Sequence, residues 1–273
     1  MSWIQALLLG LVQGLTEFLP VSSSGHLMIA REMLGVDGEG FLDFTVTVHL
    51  ATVLSTLIVF WKPICRIIAG LFKFRLNDET DYAFKIIVSM IPVGIVGLLF
   101  KDQVEALFGD SLTTVAVCLS ITAVLLFFSD FAGSRKAETS AETGHRNGIS
   151  YLQAFLVGCG QALAVAPGLS RSGTTIATGL LSGVKRDVMA QFSFLMVLAP
   201  IIGEQLLDLL DVVQGEAVFG SGIGASCLAA GFIAAFISGL FACKVMIAIV
   251  RKAKLSWFAL YCVAVAALLF IFA

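Results

Sequence analysis

Six apolar stretches long enough to cross a lipid bilayer restrict the fold of this chain more than any other feature. A helix needs about 20 mainly apolar residues to span the hydrocarbon core. Charged residues make up 13% of the chain, against about 25% in soluble domains. The sequence therefore predicts an all-α, polytopic integral membrane protein with no basic surface for nucleic acid. The six predicted transmembrane helices lie at about 42–61, 84–100, 111–131, 189–210, 222–250 and 255–273.

Two further apolar stretches, 2–34 and 150–184, are each interrupted near the middle by Pro, Gly and Ser residues. The interruptions read LPVSSSG at 19–25 and APGLSRSG at 166–173. Irregular backbone at membrane depth must be buried in protein or line a water-filled cavity. We therefore predict that each stretch forms a re-entrant helix-turn-helix hairpin, which enters the bilayer and returns to the same side.

The two interrupted stretches also match each other at a separation of 148 residues. Each half of the chain would then hold one hairpin and three spans, with repeat 1 at 1–131, a cytoplasmic linker at 132–149 and repeat 2 at 150–273. Because three spans is an odd number, the halves insert in opposite directions, which predicts an inverted-topology repeat. The matched polar pairs are Gln5 and Gln153, Gln13 and Gln161, Ser22 and Ser170, and Ser24 and Ser172.

The positive charges agree with this threading and predict its orientation. When the spans are threaded in order, 14 of the 17 Lys and Arg residues fall on one side, and Arg31 and Lys101 fall on the other. Lys and Arg concentrate on the cytoplasmic side of membrane proteins. We therefore expect a multi-pass membrane protein whose two termini and first hairpin face the outer side of the membrane. A basic loop predicted at 62–85 would be one of the cytoplasmic determinants of this topology.

Ionisable residues at membrane depth are costly and mark functional sites by default. The hairpins carry three of them, Glu17, His26 and Arg171. Gln13 precedes Glu17 by four residues, so the two side chains share one helix face. His49, inside the first predicted span, has no such motif around it and is interpreted as a packed polar residue.

The serine residues of the two interruptions are suited to begin the second helix of each hairpin. Ser22 or Ser23 would cap the helix in the first hairpin, and Ser170 would cap the helix in the second. Helix N-termini bind phosphate groups through their free N–H groups, and the guanidinium of Arg171 matches the geometry of phosphate oxygens. Together with the acid–base groups Glu17 and His26, these parts predict phosphoryl transfer at a membrane-embedded anion site.

The two motifs resemble the signatures of a known family. GLTEFLPVSSSGH at 14–26 and PGLSRSGTT at 167–175 are similar to those of the bacterial undecaprenyl-diphosphatase family, also called the bacitracin-resistance proteins. The resemblance implies hydrolysis of undecaprenyl diphosphate to the monophosphate and inorganic phosphate. It also implies a location in the bacterial inner membrane, with both termini and the active site facing the periplasm. This reaction would recycle the carrier lipid for peptidoglycan and other cell-wall polymers, support cell shape, and confer bacitracin resistance.

The resemblance also assigns roles to residues of this chain. The family is described as aided by divalent cations. Its first motif is Glu or Gln followed four residues later by Glu, and the first member here is Gln13. Glu17 would therefore be the one obvious protein ligand for Mg²⁺ or Ca²⁺. An ion that enters with the diphosphate would need few protein ligands. The catalytic residues implied are Glu17, Ser23, His26 and Arg171. The substrate-binding positions implied are Gln13, Ser22, Ser24, Gly25, Ser170, Ser172, Gly173, Thr174 and Thr175.

One mechanism has Ser23 attack the terminal phosphorus with His26 as its base, while Glu17 orients His26, binds the metal or protonates the leaving monophosphate. A close variant uses water as the nucleophile, and Ser23 then only donates to phosphate. The chief alternative function is a secondary transporter or flippase for an anionic or lipid-phosphate substrate, since broken helices in inverted repeats also build transport sites. The expected partners are the bilayer and the polyprenyl diphosphate lipid, and a homodimer is left open by the sequence.

Overall fold

The computed structural model of the chain describes residues 1–36, 40–100, 103, 111–140, 145–166, 168–213 and 223–272. Pro167 of the second interruption, part of the predicted linker at 141–144, and the start of the predicted span at 222–250 lie outside the described residues. So do the side chains of Glu204 and Asp208. Within the described ranges the secondary structure is entirely helical.

Eleven α-helices and one short 3₁₀ turn, Arg146–Gly148, make up the described secondary structure. The helices are α1 Trp3–Thr16, α2 Ser23–Met33, α3 Phe41–Val59, α4 Trp61–Leu71, α5 Asp78–Leu99, α6 Leu112–Ser140, α7 Tyr151–Leu163, α8 Arg171–Leu181, α9 Arg186–Val213, α10 Ala225–Lys252 and α11 Ser256–Phe272. Five of them (α3, α5, α6, α9 and α10) are long and apolar enough to cross a membrane, and α11 is apolar but has only 17 residues. The chain is therefore a multi-pass membrane protein.

Both interrupted stretches fold into pairs of short helices, α1 with α2 and α7 with α8. Each pair begins with a capping box, in which a serine and the glutamine three residues later bond to each other's backbone. The same glutamines also close the pairs: Gln5 Nε2 donates to Leu34 O at 2.9 Å, and Gln153 Nε2 donates to Ser182 O at 3.0 Å. The two hydrogen bonds are equivalent, because the donor and the acceptor of the second lie 148 residues after those of the first.

Each helix pair packs against a long helix from the other half of the chain, α1 along α10 and α7 along α5. Glycine allows the backbones to approach closely at both contacts. A Cβ atom at Gly10 would lie 2.3 Å from the carbonyl oxygen of Gly231, and one at Gly158 would lie 2.2 Å from that of Ser89. In lipid, apolar helices gain little from the hydrophobic effect when they associate, so close van der Waals packing of this kind holds them together.

We expect Gly10→Ala to destabilise the fold by about 1–3 kcal/mol, because the added methyl group overlaps backbone that has no rotamer with which to move away. The apparent Tm of the detergent-solubilised protein should fall by roughly 5 °C. Gly94→Ala in α5 is the matched control, since no atom lies within 4 Å of its added Cβ. An unchanged Tm for Gly10→Ala would contradict this account of the contact between α1 and α10.

Two boundaries differ from those expected from the sequence. The basic loop predicted at 62–85 contains α4, and α5 begins at Asp78 instead of near residue 84. Asn77 caps α5 by accepting from the N–H of Thr80 at 2.8 Å, and acidic residues in the first turn favour an early start. At the other end, α6 continues to Ser140 and so extends into the segment predicted as a linker at 132–149.

Candidate active site

Glu17 lies at the end of α1 and accepts hydrogen bonds from two other side chains of the site. Its Oε2 atom accepts a hydrogen bond from Ser23 Oγ at 2.6 Å and another from Gln13 Nε2 at 2.9 Å. Gln13 is fully buried one helical turn before Glu17, as the four-residue spacing predicted. The Glu17 side chain is only 12% exposed. A hydroxyl that donates to a largely buried carboxylate is in position to lose its proton to that carboxylate.

The turn between α1 and α2 presents Ser23 to Glu17. Ser22 is the N-cap of α2, and its Oγ accepts from the N–H of Gly25 at 3.2 Å. Its backbone has φ of 68° and ψ of 98°, a conformation that is costly for a residue with a Cβ atom. This turn directs the chain so that Ser23, the first residue of α2, points back to the end of α1.

The second hairpin repeats the capping arrangement with different functional groups. Ser170 is the N-cap of α8, and its Oγ accepts from the N–H of Gly173 at 3.0 Å. Arg171 is the first residue of α8 and therefore occupies the helix position that Ser23 has in α2. Thr174 and Thr175 bond to carbonyl groups of the same turn, so their hydroxyls stabilise the start of α8.

The two hairpin turns are bonded directly to each other. The N–H of Gly168 donates to Ser24 Oγ at 3.3 Å, and Ser172 Oγ donates to the carbonyl of Leu19 at 3.1 Å. Each turn thus satisfies backbone groups of the other, as irregular backbone at membrane depth requires. These contacts bring the N-termini of α2 and α8 into one site.

Glu17 and Arg171 line the same open cleft. The two charges are near enough to attract each other. Hydroxyl groups add polar character to a mainly apolar wall, and they belong to Thr52, Thr56, Ser172 and Ser193.

His26 lies one turn into α2 but does not bond to Ser23. Its Nδ1 atom lies 2.8 Å from the carbonyl oxygen of Ser22, and its Nε2 atom lies 2.8 Å from the hydroxyl of Tyr261. The mechanism expected from the sequence paired Ser23 with His26, whereas the structure pairs Ser23 with Glu17. The reason is local, because the His26 ring folds back onto the carbonyl four residues earlier in its own helix.

Three residues that the sequence motifs did not indicate lie at or beside the site. His49 Nε2 is 3.8 Å from Glu17 Oε2, and its Nδ1 atom lies 2.9 Å from the carbonyl of Thr45. Ser193 is fully buried and lies 2.6 Å from Thr175 Oγ1. The only feature of the sequence that pointed to a role for His49 was the rarity of ionisable residues in the middle of membrane spans. No feature of the sequence pointed to Ser193 or Tyr261.

Glu17 is the protein ligand that the resemblance implies for a divalent ion. Its Oε2 atom already accepts two hydrogen bonds, and no group of three His, Cys, Asp or Glu side chains suited to a metal occurs in the part of the chain that the structure describes. Sites for Mg²⁺ and Ca²⁺ are built from several oxygen ligands. The ion that the resemblance implies, carried in with the diphosphate, stays a prediction, and no step below depends on it.

Comparison with known proteins shows the family to which the chain belongs. The family model described as bacitracin resistance protein BacA matches residues 6–268. An undecaprenyl-diphosphatase of Parabacteroides distasonis is 56% identical over 262 residues, which cover 96% of this chain and 95% of the relative. One of Bacteroides fragilis is 55% identical over the same length with the same coverage. One of Christiangramia forsetii is 49% identical over 277 residues and covers both chains completely.

Proposed function

Because this chain belongs to the bacitracin resistance protein BacA family, we propose that it hydrolyses undecaprenyl diphosphate to undecaprenyl phosphate and inorganic phosphate. The relatives named undecaprenyl-diphosphatase match this chain over nearly their whole length. The observation that carries the proposal is the hydrogen bond from Ser23 to Glu17, because Glu17 lines the same cleft as Arg171. This arrangement supplies a nucleophile, its base and a cation for phosphate oxygens.

In the first step, Ser23 Oγ attacks the terminal phosphorus of the diphosphate, and its proton moves to Glu17 Oε2. The bond from that phosphorus to the bridging oxygen breaks, and undecaprenyl phosphate leaves with the bonding electrons. The guanidinium of Arg171 and the N-termini of α2 and α8 stabilise the negative charge on the transferring phosphoryl group. The products of this step are a phosphoserine and the lipid monophosphate.

In the second step, water attacks the phosphoserine and releases inorganic phosphate. The leaving group of the first step is a phosphate, which departs as an anion and need not take the proton from Glu17. A second base is therefore required, and His26 is the group one helical turn from Ser23 that supplies it. The bond from phosphorus to Ser23 Oγ breaks, Glu17 returns its proton to that oxygen, and the proton on His26 is lost to solvent.

The variant with a water nucleophile in a single step predicts a different intermediate. Glu17 would then activate the water directly, and Ser23 would only donate a hydrogen bond to phosphate. Rapid acid quenching during turnover, followed by mass spectrometry of the peptide that contains Ser23, distinguishes the two. Phosphorylated Ser23 supports the covalent route, whereas substantial turnover by Ser23→Ala excludes it.

The proposal includes an arrangement in the membrane. We infer an inverted repeat of two re-entrant hairpins and six spans, with both termini and the site open to the periplasm. The equivalent hydrogen bonds made by Gln5 and Gln153, 148 residues apart, support the repeat, and the uneven distribution of Lys and Arg supports the orientation. In this position the enzyme would recycle the carrier lipid for peptidoglycan synthesis and give resistance to bacitracin.

The direct test is release of free phosphate from undecaprenyl diphosphate by the purified protein in detergent. We expect protein-dependent release without any gradient, and a parallel reaction with EDTA tests the divalent ion that the resemblance implies. A secondary transporter or flippase would release no phosphate under these conditions. Absence of release by protein that elutes as a single species in gel filtration would therefore contradict the hydrolase and favour transport.

A further inference from the structure

Tyr261, near the middle of the last helix, makes two contacts with His26. Its hydroxyl lies 2.8 Å from His26 Nε2, and the two rings stack with centroids 5.6 Å apart and an interplanar angle of 14°. The two residues are 235 positions apart in the chain. No part of the mechanism above uses Tyr261, and neither motif contains it.

The partners of His26 determine where its protons are. The carbonyl of Ser22 can only accept a hydrogen bond, so Nδ1 must carry a proton and donate it. In the neutral ring, Nε2 then has the lone pair, and the Tyr261 hydroxyl donates to it. When Nε2 takes up a proton, the same hydroxyl oxygen can accept from it, because a phenol is both donor and acceptor. Tyr261 therefore fits both protonation states of His26.

The part of α11 that carries Tyr261 is held in place by contacts with α6 and with the first hairpin turn. The backbone N–H of Ser256 donates to Asp130 Oδ2 of α6 at 2.7 Å, which holds the start of α11. The next residue after Tyr261, Cys262, is fully buried and lies with its Sγ 3.7 Å from the carbonyl oxygen of Pro20 in the first hairpin turn. The position of the Tyr261 ring relative to α2 is thus set by packing on both sides.

We propose that Tyr261 is a positioning residue for the reaction, which holds His26 in one tautomer and one ring orientation with Nε2 as the proton-accepting atom. The inference rests on the proposed function, since it assigns His26 the role of base in the second step. The hydroxyl occupies the Nε2 lone pair in the resting site, and the attacking water takes its place during turnover. A ring already oriented in this way loses less freedom on reaching the transition state.

The informative substitution is Tyr261→Phe, which keeps the stacked ring and removes only the hydroxyl. We expect kcat to fall about tenfold, because without the hydroxyl the His26 ring populates other orientations and the other tautomer when the water arrives, with KM within about twofold of the parent value. Tyr151→Phe is the matched control, because both tyrosines are 45% exposed and Tyr151 bonds to Asp81, away from the hairpin turns. The control should leave kcat unchanged.

The side-chain NMR spectrum of histidine reads the proposed contact without any turnover. The chain has three histidines, so ¹⁵N-labelled His gives few signals, and the signal lost in His26→Gln identifies His26. We expect a single neutral tautomer protonated at Nδ1 in the parent, and a mixture of tautomers or a clear shift of Nε2 in Tyr261→Phe. The signals of His49 should not change.

The outcomes separate this inference from the proposed function. An unchanged His26 spectrum in Tyr261→Phe overturns the positioning role, whatever the activity shows. A raised KM with an unchanged kcat also overturns it and indicates that the hydroxyl binds substrate. If the parent protein releases no phosphate but the His26 spectrum changes in Tyr261→Phe, the contact stands and the proposed function fails.

Discussion

Replacement of Arg171 with alanine is expected to lower kcat/KM for undecaprenyl diphosphate by about three orders of magnitude. A single preorganised donor to a developing oxyanion contributes about 10²–10³ in rate, and a catalytic arginine on a phosphoryl group contributes 10³ or more. Arg171 lines the cleft as the first residue of α8, a position where alanine preserves the helix. The measurement is steady-state phosphate release by purified protein.

Two further variants show whether the charge or its geometry is responsible. Arg171→Lys keeps a positive charge but loses the planar fork that binds two phosphate oxygens, so we expect an intermediate loss of about tenfold to a hundredfold. Arg75→Gln is the control, because it removes an exposed arginine from the segment between α4 and α5, away from the cleft. Activity of Arg171→Ala within tenfold of the parent would contradict a phosphate clamp in the second hairpin.

Local sequence was sufficient to predict the parts of the site that depend on helix ends. The cap expected at Ser170 is confirmed, and of the two candidates in the first hairpin, Ser22 and Ser23, the cap is Ser22. Each cap accepts a hydrogen bond from the N–H three residues later. Capping depends only on a short polar side chain before a helix, so a motif of a few residues contains the required information. The prediction of a helix pair around each of the two clusters of Pro, Gly and Ser rests on the same local information.

The partner of Ser23 could not be predicted in this way. The hydrogen bond to Glu17 depends on the positive φ of Ser22, which a serine adopts only when surrounding structure stabilises it. His49 and Tyr261 approach the site from α3 and α11, and their contacts are made through space between distant parts of the chain. No spacing rule within one helix indicates such neighbours.

The two hairpins have the same framework but different chemistry. At a separation of 148 residues, Ser23 corresponds to Arg171, and His26 corresponds to Thr174. Thr174 Oγ1 even bonds to the carbonyl of Ser170 as His26 Nδ1 does to that of Ser22. In the proposed mechanism, only the first hairpin therefore carries the nucleophile and bases, while the second carries the cation. A reaction site needs both hairpins, which explains why their turns must be bonded together.

Glu17→Gln is the second substitution for which we expect a very large effect, a fall in kcat of about a thousandfold. The amide has nearly the shape of the carboxylate and can still accept from Ser23, but it cannot take the proton, and a positioned general base contributes about 10²–10⁴ in rate. Glu32→Gln is the matched control, since Glu32 is exposed on α2. It should retain full activity in the same assay of phosphate release.

The double variant tests whether Glu17 and Ser23 act as one unit. Residues that perform the same step lose activity together, so their combined loss is far smaller than the product of the single losses. We expect Ser23→Ala and Glu17→Gln each to remove most of the activity, and the double variant to be no slower than the worse of the two. If the two losses multiply instead, Glu17 serves another step, and the 2.6 Å contact between Ser23 Oγ and Glu17 Oε2 is structural.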